Sequence, residues 1–451
     1  MRMFKRCVVA LAATTLGACS LDLQNPNSPT QDQVTSSPDG VIALATGLQA
    51  RFAASLFNYA YMAGVATDEF AATSAALQSI SDAEQGSVPP GTGIADNVFN
   101  SIYRTVRTAD ELLAGADNLS GSFDAGTRSG LKALAYTLKA EALGEAIQSY
   151  QQVPIETFNV TSPAYVSRAV ALPVIRALLD SAAAQIAGTP PSAFFTAQIL
   201  TPGVSLSNMI QIFRARYARM AGDNATAIAA ANLVARSGTS AISALTYPAP
   251  GVNPYANVTG GTNGIAVRRQ FRTSMLPQDQ RFNFFVIPST TLVGRIATSP
   301  LDPFSTRYAV AAATQFVYFP DEALLIKAEA LASQGDLAGS QAVLDSVRTD
   351  CTGGRGIDDP KACLPALAAG QTQAQLLAEV YVQRRYELFG TGLRWEDVRR
   401  RSAICGPAAA PALPLDGQRC WLPYAIGDRN ANKLVPADPA EPTVFPTGCP
   451  L

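Results

Sequence analysis

Two groups of residues in this chain have the types and spacing that acid–base chemistry uses. Glu141 and Glu145 stand four apart in a helical pattern, so their carboxyls share one face. Further along, Arg384, Arg385, Glu387, Arg394, Glu396 and Asp397 crowd a short stretch. A glycosidase needs two carboxyls about 5–9 Å apart across a sugar-binding cleft, and adjacent helical turns meet that distance. A plainer role competes in each case. Paired acids on an exposed helix are ordinarily solvated, and Glu141 and Glu145 are read that way. Arginine forks satisfy buried carboxylates well, so the second group is read as an ion network between two helices, with Trp395 packed in the core.

The sequence contains no histidine. That removes the Ser-His-Asp and Cys-His nucleophile arrangements and most zinc sites. Lysine-activated serine and paired carboxylates survive this test. No catalytic residue, metal ligand or cofactor is assigned. Removing the first 18 residues, with their three basic side chains, leaves 31 basic against 35 acidic residues, a net charge of -4. Such a product has no general attraction for phosphate backbones, so nucleic acid is not an expected partner.

The first 19 residues, MRMFKRCVVALAATTLGAC, place Arg2, Lys5 and Arg6 before an apolar run from Val8 to Leu16. That run is roughly half the ~20 residues needed to span a bilayer, so residues 1–18 read as an export signal. Leu16-Gly17-Ala18-Cys19 resembles a bacterial lipobox, which marks Cys19 as the lipidation site. The stretch that follows, residues 19–40, contains Asn25-Pro26-Asn27-Ser28-Pro29 and reads as a tether to the body. Export permits disulfides. Among the five later cysteines the simplest pairings are local, Cys351 with Cys363 and Cys405 with Cys420, leaving Cys449. Connectivity stays open at this stage.

The elements that must position these residues are mostly helices. Apolar residues recur at spacings of three and four over 97–118 and 127–150. Two later units repeat a scheme: helices over 208–221 and 224–236 flank Gly222-Asp223, and helices over 321–334 and 337–348 flank Gly335-Asp336. Glycine ends one helix and Asp caps the next. An offset of 113 matches Ala215 with Ala328, Ala225 with Ala338, Ala229 with Ala342 and Val234 with Val347. Small residues at helix crossings resemble tetratricopeptide repeats. A helix over 373–389 opens with a Thr372/Gln375 capping box, and a short one follows from Leu393. Between 238 and 319 Gly, Pro, Asn and Thr are common, and β-prone stretches such as Phe282 to Ile287 and Phe316 to Phe319 appear. The fold class is therefore mainly α. Repeat-like helix pairs form a superhelical body, with an irregular insertion at 238–319 carrying a few short strands, all within one domain over 41–451.

Several segments in order carry a family resemblance. They are Leu21 to Pro26, Thr67-Asp68-Glu69, Phe99 to Tyr103, Lys132 to Ile155, Tyr318 to Arg348, and Arg384-Arg385-Tyr386-Glu387-Leu388-Phe389-Gly390 followed by Leu393-Arg394-Trp395-Glu396-Asp397-Val398-Arg399-Arg400. Together they resemble the RagB/SusD family of nutrient-binding outer-membrane lipoproteins. Departures include Gly390-Thr391-Gly392-Leu393 where the family usually has Glu-Gly-His before Arg-Trp, Lys327 for its usual Arg, and only two tryptophans. The resemblance implies a surface-exposed, lipid-anchored outer-membrane protein. It implies non-catalytic capture of an oligosaccharide, or in some members a peptide, for a SusC-like TonB-dependent transporter. It aligns no ligand residue here. For a glycan, aromatic faces in loops are the first contacts to consider: Phe70, Tyr255, Phe271 and Phe282, with Arg281 as a polar neighbour. Rival readings are a lipid-anchored glycan hydrolase using paired carboxylates and a repeat scaffold of envelope assembly.

Overall fold

The computed structural model describes residues 30–238, 241, 243–245, 253–259, 264–296, 298–351, 359–405 and 419–439, with the side chains of 401–405 excepted. The export signal, Cys19, Cys449 and the side chain of Cys405 lie outside the described residues. The tether read over 19–40 is partly helical: α1 (Gln31–Thr35) opens with a Thr30 capping box, and Ser37 caps α2 (Pro38–Ala66).

The body is a succession of helices, most of them packed on an earlier neighbour along the path. In chain order they are α2, α3 (Gln78–Glu84), α4 (Gly93–Asn118), α5 (Ala125–Ser149), α6 (Arg168–Gly188), α7 (Leu206–Met220) and α8 (Asn224–Asn232). Helix α4 lies on α2, α5 on α4, α6 on α5, α7 on α6 and α8 on α7. The chain then leaves for the insertion and returns as α13 (Asp321–Ser333), which packs on α8, and α14 (Leu337–Arg348). Helix α15 (Gln373–Glu387) packs on α13, and α16 (Leu393–Cys405) closes the path against α15 and α2. This is a tetratricopeptide-like helical body, as its pattern predicts.

The repeated Gly-Asp turns behave as expected. Gly222 and Gly335 sit at φ +75° and +85°, a region that costs glycine nothing. Asp223 accepts from Thr226 N, and Asp336 from Gly339 N. The matched positions share environments: Ala215 and Ala328 are buried, Val234 and Val347 are buried, and Ala225, Ala338, Ala229 and Ala342 are exposed. Only the first alanine pair is therefore at a packed crossing.

Among the described residues there are three small antiparallel sheets, two of which include strands of the insertion. Strands β1 (Phe70–Ala72), β5 (Ile265–Arg268) and β6 (Leu301–Asp302) form a sheet in the order β1-β5-β6, with Phe70 opposite Val267. Strand β2 (Gln152–Pro154) pairs with β3 (Tyr165–Ser167), and β4 (Ala244–Leu245) with β7 (Gln315–Phe316). Short helices α9 (Pro254–Val258), α10 (Arg269–Thr273), α11 (Phe282–Phe285) and α12 (Thr306–Ala309) lie between the strands, and α17 (Ile426–Ala431) follows near the C-terminal end. Of the segment 282–287, read as β-prone, Phe282–Phe285 form α11 instead, while Val286 makes an antiparallel bridge to Phe304. Packing decides this: Phe285 is fully buried against Phe389, with ring centroids 5.1 Å apart.

Candidate functional site

The carboxylates singled out for chemistry are core residues. Glu141 and Glu145 are 2% and 0% exposed, which corrects the solvated reading. The reason is Arg216, brought over on α7. Its Nη1 donates to Glu141 at 2.5 Å, while Nε and Nη2 fork onto Glu322 of α13 at 2.7 and 2.8 Å. Tyr217 donates to the other Glu141 oxygen at 2.8 Å, and Ser55 of α2 donates to Glu145. Burial pushes the Glu145 carboxyl well above its ordinary range, and the Glu141 charge adds to the effect. Burial also raises Glu141, against the opposing pull of Arg216.

The second acidic group is the predicted ion network. Asp397 accepts from Arg384 Nε at 2.7 Å and lies 3.5 Å from Arg219. Glu396 accepts from Arg168 at 2.5 and 2.9 Å and from Arg399 at 2.8 Å. Burial works against the Glu396 charge, but Arg168, Arg399 and Arg400 outweigh it and hold the carboxyl down at about 2. Glu329 is held at about 2 in the same way by Arg219 and Arg400. Trp395 is fully buried, and its indole N–H donates to the Arg419 carbonyl at 2.7 Å. These groups tie α5, α7, α13, α15 and α16 together.

Most of the aromatic candidates are also interior. Phe70, Tyr255 and Phe271 are 0%, 1% and 3% exposed. Phe70 and Phe271 pack on Phe389 at 5.6 and 4.2 Å between centroids, and Tyr255 donates to the Gly390 carbonyl at 3.1 Å. Arg281 is fully buried, forked onto Asp279 and 3.4 Å from Glu387. These four present no ring face or guanidinium to solvent. Phe282 is half-buried. Their shared task is to seat the insertion on the Glu387-Leu388-Phe389-Gly390 turn that ends α15.

What that seating presents is a pair of open clefts with a common wall. The first, about 530 Å³, is lined by Asn283, Phe284, Ser305, Thr306, Arg307, Val310 and residues 312–314. The second, about 910 Å³, is lined by Pro277, Gln278, Gln280, Asn283, Phe284, Cys351, Asp359, Lys361 and Cys363. Both lie within the size range of small-molecule sites. Asn283 and Phe284 belong to both, so one ridge divides them. Backbone pairing fixes the ridge: Ser305 N donates to Phe285 O at 2.8 Å, Ser305 Oγ to Phe284 O at 2.6 Å, and Ile287 N to Pro303 O at 2.9 Å. The second cleft gains its far wall from the Cys351–Cys363 disulfide, one of the two predicted local pairings. Gln280 N donates to Ala362 O at 3.1 Å and ties that wall to the ridge. Lys361 is paired with Asp359. The expected partner of Cys420 lies outside the described side chains.

Sequence reasoning pointed to Arg281 and Phe282, and not to their neighbours Asn283 and Phe284, which line both clefts. The available signal was the amide-rich run Gln278, Gln280 and Asn283 against three phenylalanines. Beside Arg307, Asp359 and Lys361, the lining side chains offer amides, hydroxyls and half-buried rings, which hydrogen-bond and pack. Among the described residues no group of three or more acidic or cysteine side chains is placed to hold a metal.

The helical path and its seated insertion share the fold of solved proteins of the SusD superfamily. The sequence pattern of the SusD family matches residues 321–409, a segment that begins with α13 and includes α14, α15 and α16. A SusD superfamily protein from Bacteroides vulgatus superposes with a TM-score of 0.65 at 12% identity, over 89% of this chain and 98% of that one. Surface glycan-binding protein A from Bacteroides uniformis gives 0.66 at 15% identity, over 87% and 99%. A laminarin-binding SusD-like protein gives 0.64 at 14%, over 88% and 98%. No curated protein sequence matches the chain.

Proposed function

We propose that the protein is a non-catalytic capture protein for an oligomeric nutrient, a glycan first and a peptide as the second class. In this reading it is anchored at the outer membrane through Cys19, faces outward and delivers its ligand to a SusC-like TonB-dependent transporter. The observation that carries the reading is the SusD-superfamily fold over about nine-tenths of the chain, spanning 98% of both the Bacteroides vulgatus protein and the laminarin-binding one. Surface glycan-binding protein A has the same fold, and its stated role supports a glycan here.

The clefts support binding over hydrolysis. Glycoside cleavage needs two carboxyls flanking one bond. Among the described residues none that lines the first cleft is acidic, and Asp359, paired with Lys361, is the one acid lining the second. Of the other candidate carboxylates, Glu141, Glu387, Glu396 and Asp397 are buried against arginines, and Glu145 is buried and accepts from Ser55. The domain reading stands with this proposal: a signal over 1–18, a tether and one SusD-like domain.

The test is a glycan array, followed by calorimetry and a sugar-release assay on the same preparation. Binding with intact glycan recovered supports capture. Sugar release that is lost in Glu141→Gln or Glu387→Gln while the fold is retained overturns it in favour of the hydrolase.

A further inference from the structure

One end of the helical body carries a surface built from a long uncharged stretch. No residue from Ser181 through Phe213 is charged, in a chain where 15% of residues are. This run covers the last turns of α6, the first turns of α7 and the connection between them. The connection contains a π-helical turn, Phe195–Ile199, closed by Leu200 N donating to Phe195 O at 2.9 Å. Phe195 is buried against Gly130 of α5, and Phe194 is left 47% exposed. Beside them opens a pocket of about 430 Å³, whose walls include Ile186, Phe195, Leu200, Val204 and Leu206. Leu233, 64% exposed, follows α8 two residues before Ala235, which exchanges two hydrogen bonds with Asn208 of α7. Asp124 borders the surface through Thr127, whose hydroxyl meets Ser192; its carboxylate accepts from Thr127 N and Oγ1 at 2.8 and 2.6 Å.

The chain enters the body at this same end. Thr35 and Val41 stand against Gly115 near the end of α4, Asp117 pairs with Lys132 of α5, and Ser129 donates to the Thr189 carbonyl just past α6. Helix α2 therefore starts where α4 ends, α5 starts and α6 ends. Gln49 of α2 holds the pocket segment directly, donating to Ile199 O at 3.0 Å and accepting from Thr201 N at 2.8 Å. Cys19 stands eleven residues before Thr30, at most about 40 Å of chain. Helix α2 runs 29 residues, about 43 Å, from this end toward the opposite one. An anchor at Cys19 therefore brings the uncharged end within reach of the bilayer. Exposed apolar side chains around an apolar pocket, on a segment without charge, suit a lipid surface.

We infer that this end of the body docks on the membrane, with Phe194 in the interface and the acyl chain of a bilayer lipid in the pocket between Ile186 and Leu206. This rests on the proposed anchorage at Cys19.

The experiment uses the mature protein with its anchor, reconstituted in phosphatidylcholine vesicles whose acyl chains carry bromine, a short-range quencher of indole emission. Its own Trp395 and Trp421 are buried, so an indole added at the surface is read separately. Phe194→Trp is compared with Val170→Trp, an exposed position near the other end of α6, about 24 Å along the helix from Ile186. The added emission of Phe194→Trp is expected to shift to the blue and to lose most of its intensity in the brominated vesicles, at low and high salt alike. Val170→Trp should lose none. Thermal melting of both variants checks the fold. If the protein floats with the vesicles and Phe194→Trp is quenched no more than Val170→Trp, the inference is overturned and the anchor stands. If the protein does not float, both fall. A blue shift of Phe194→Trp that grows with protein concentration in the absence of vesicles assigns the surface to a second copy of the chain and also overturns the inference.

Discussion

Arg216 is the residue whose loss the body should tolerate least. Its guanidinium is 3% exposed and joins Glu141 of α5 to Glu322 of α13 across α7. Arg216→Met keeps much of the volume but leaves two buried carboxylates without their cation. Breaking a buried pair by removing one partner costs about 3–5 kcal/mol, against a total stability of about 5–15 kcal/mol for a folded protein. Urea denaturation should show a large drop in midpoint with little change in slope. The loss should also depend on pH with a definite sign. Arg216 pulls the Glu141 carboxyl down against burial, so removing it lets that carboxyl rise further above the ordinary range. A carboxyl raised in the folded state favours folding below its unfolded value, and that benefit is lost as pH rises through the folded value. The variant should therefore be closer to wild type at pH 5 than at pH 8. A loss below about 1 kcal/mol, or a deficit that grows on acidification, would refute the view that these carboxylates are held by Arg216.

Three further outcomes are expected. Burial raises Glu69 from 4.5 to about 7, against Arg394 and the Gly390 N–H, so its contribution is full below about 4.5 and lost as pH rises through 7. Glu69→Gln should gain about 2–3 kcal/mol on wild type between pH 5 and pH 8, read by urea titration at each pH; parallel curves would contradict the assignment. Gly144→Ala places a methyl group on the Tyr217 phenol, whose hydroxyl serves Glu141, and should cost about 1–3 kcal/mol in a thermal melt. Replacing Cys351 and Cys363 together by serine should cost about 3 kcal/mol or less and weaken ligand binding at the second cleft, whose wall the bridge forms. Unchanged calorimetric affinity would show that this wall takes no part.

Much of the helical body was legible because its surface helices alternate faces. Helix α4 buries Val98, Ile102 and Leu112 on one side, and the capping boxes and Gly-Asp turns are local chemistry. Helix α2 was not read because apolar residues run all round it, with Val41, Leu48, Phe52, Met62 and Val65 all buried. Helix α6 was missed for a related reason: Val170 and Val174 are exposed while Leu172 and Ile175 are buried, and Pro173 interrupts the pattern. The candidate site was harder. Arg216 lies 75 residues from Glu141, and nothing near Glu141 or Glu145 announces it. Phe70 and Phe271 resemble loop platforms by sequence, yet Phe389 gathers them into the core from the end of α15. The residues that face solvent instead, Asn283, Phe284 and Arg307, meet only once the insertion is seated.

The most direct test of capture for a transporter is a mild-detergent pull-down from native membranes with a C-terminal tag, followed by mass spectrometry. Recovery of a stoichiometric TonB-dependent β-barrel is the predicted result. Recovery of the protein without any barrel, from membranes in which such barrels are detected, would contradict it.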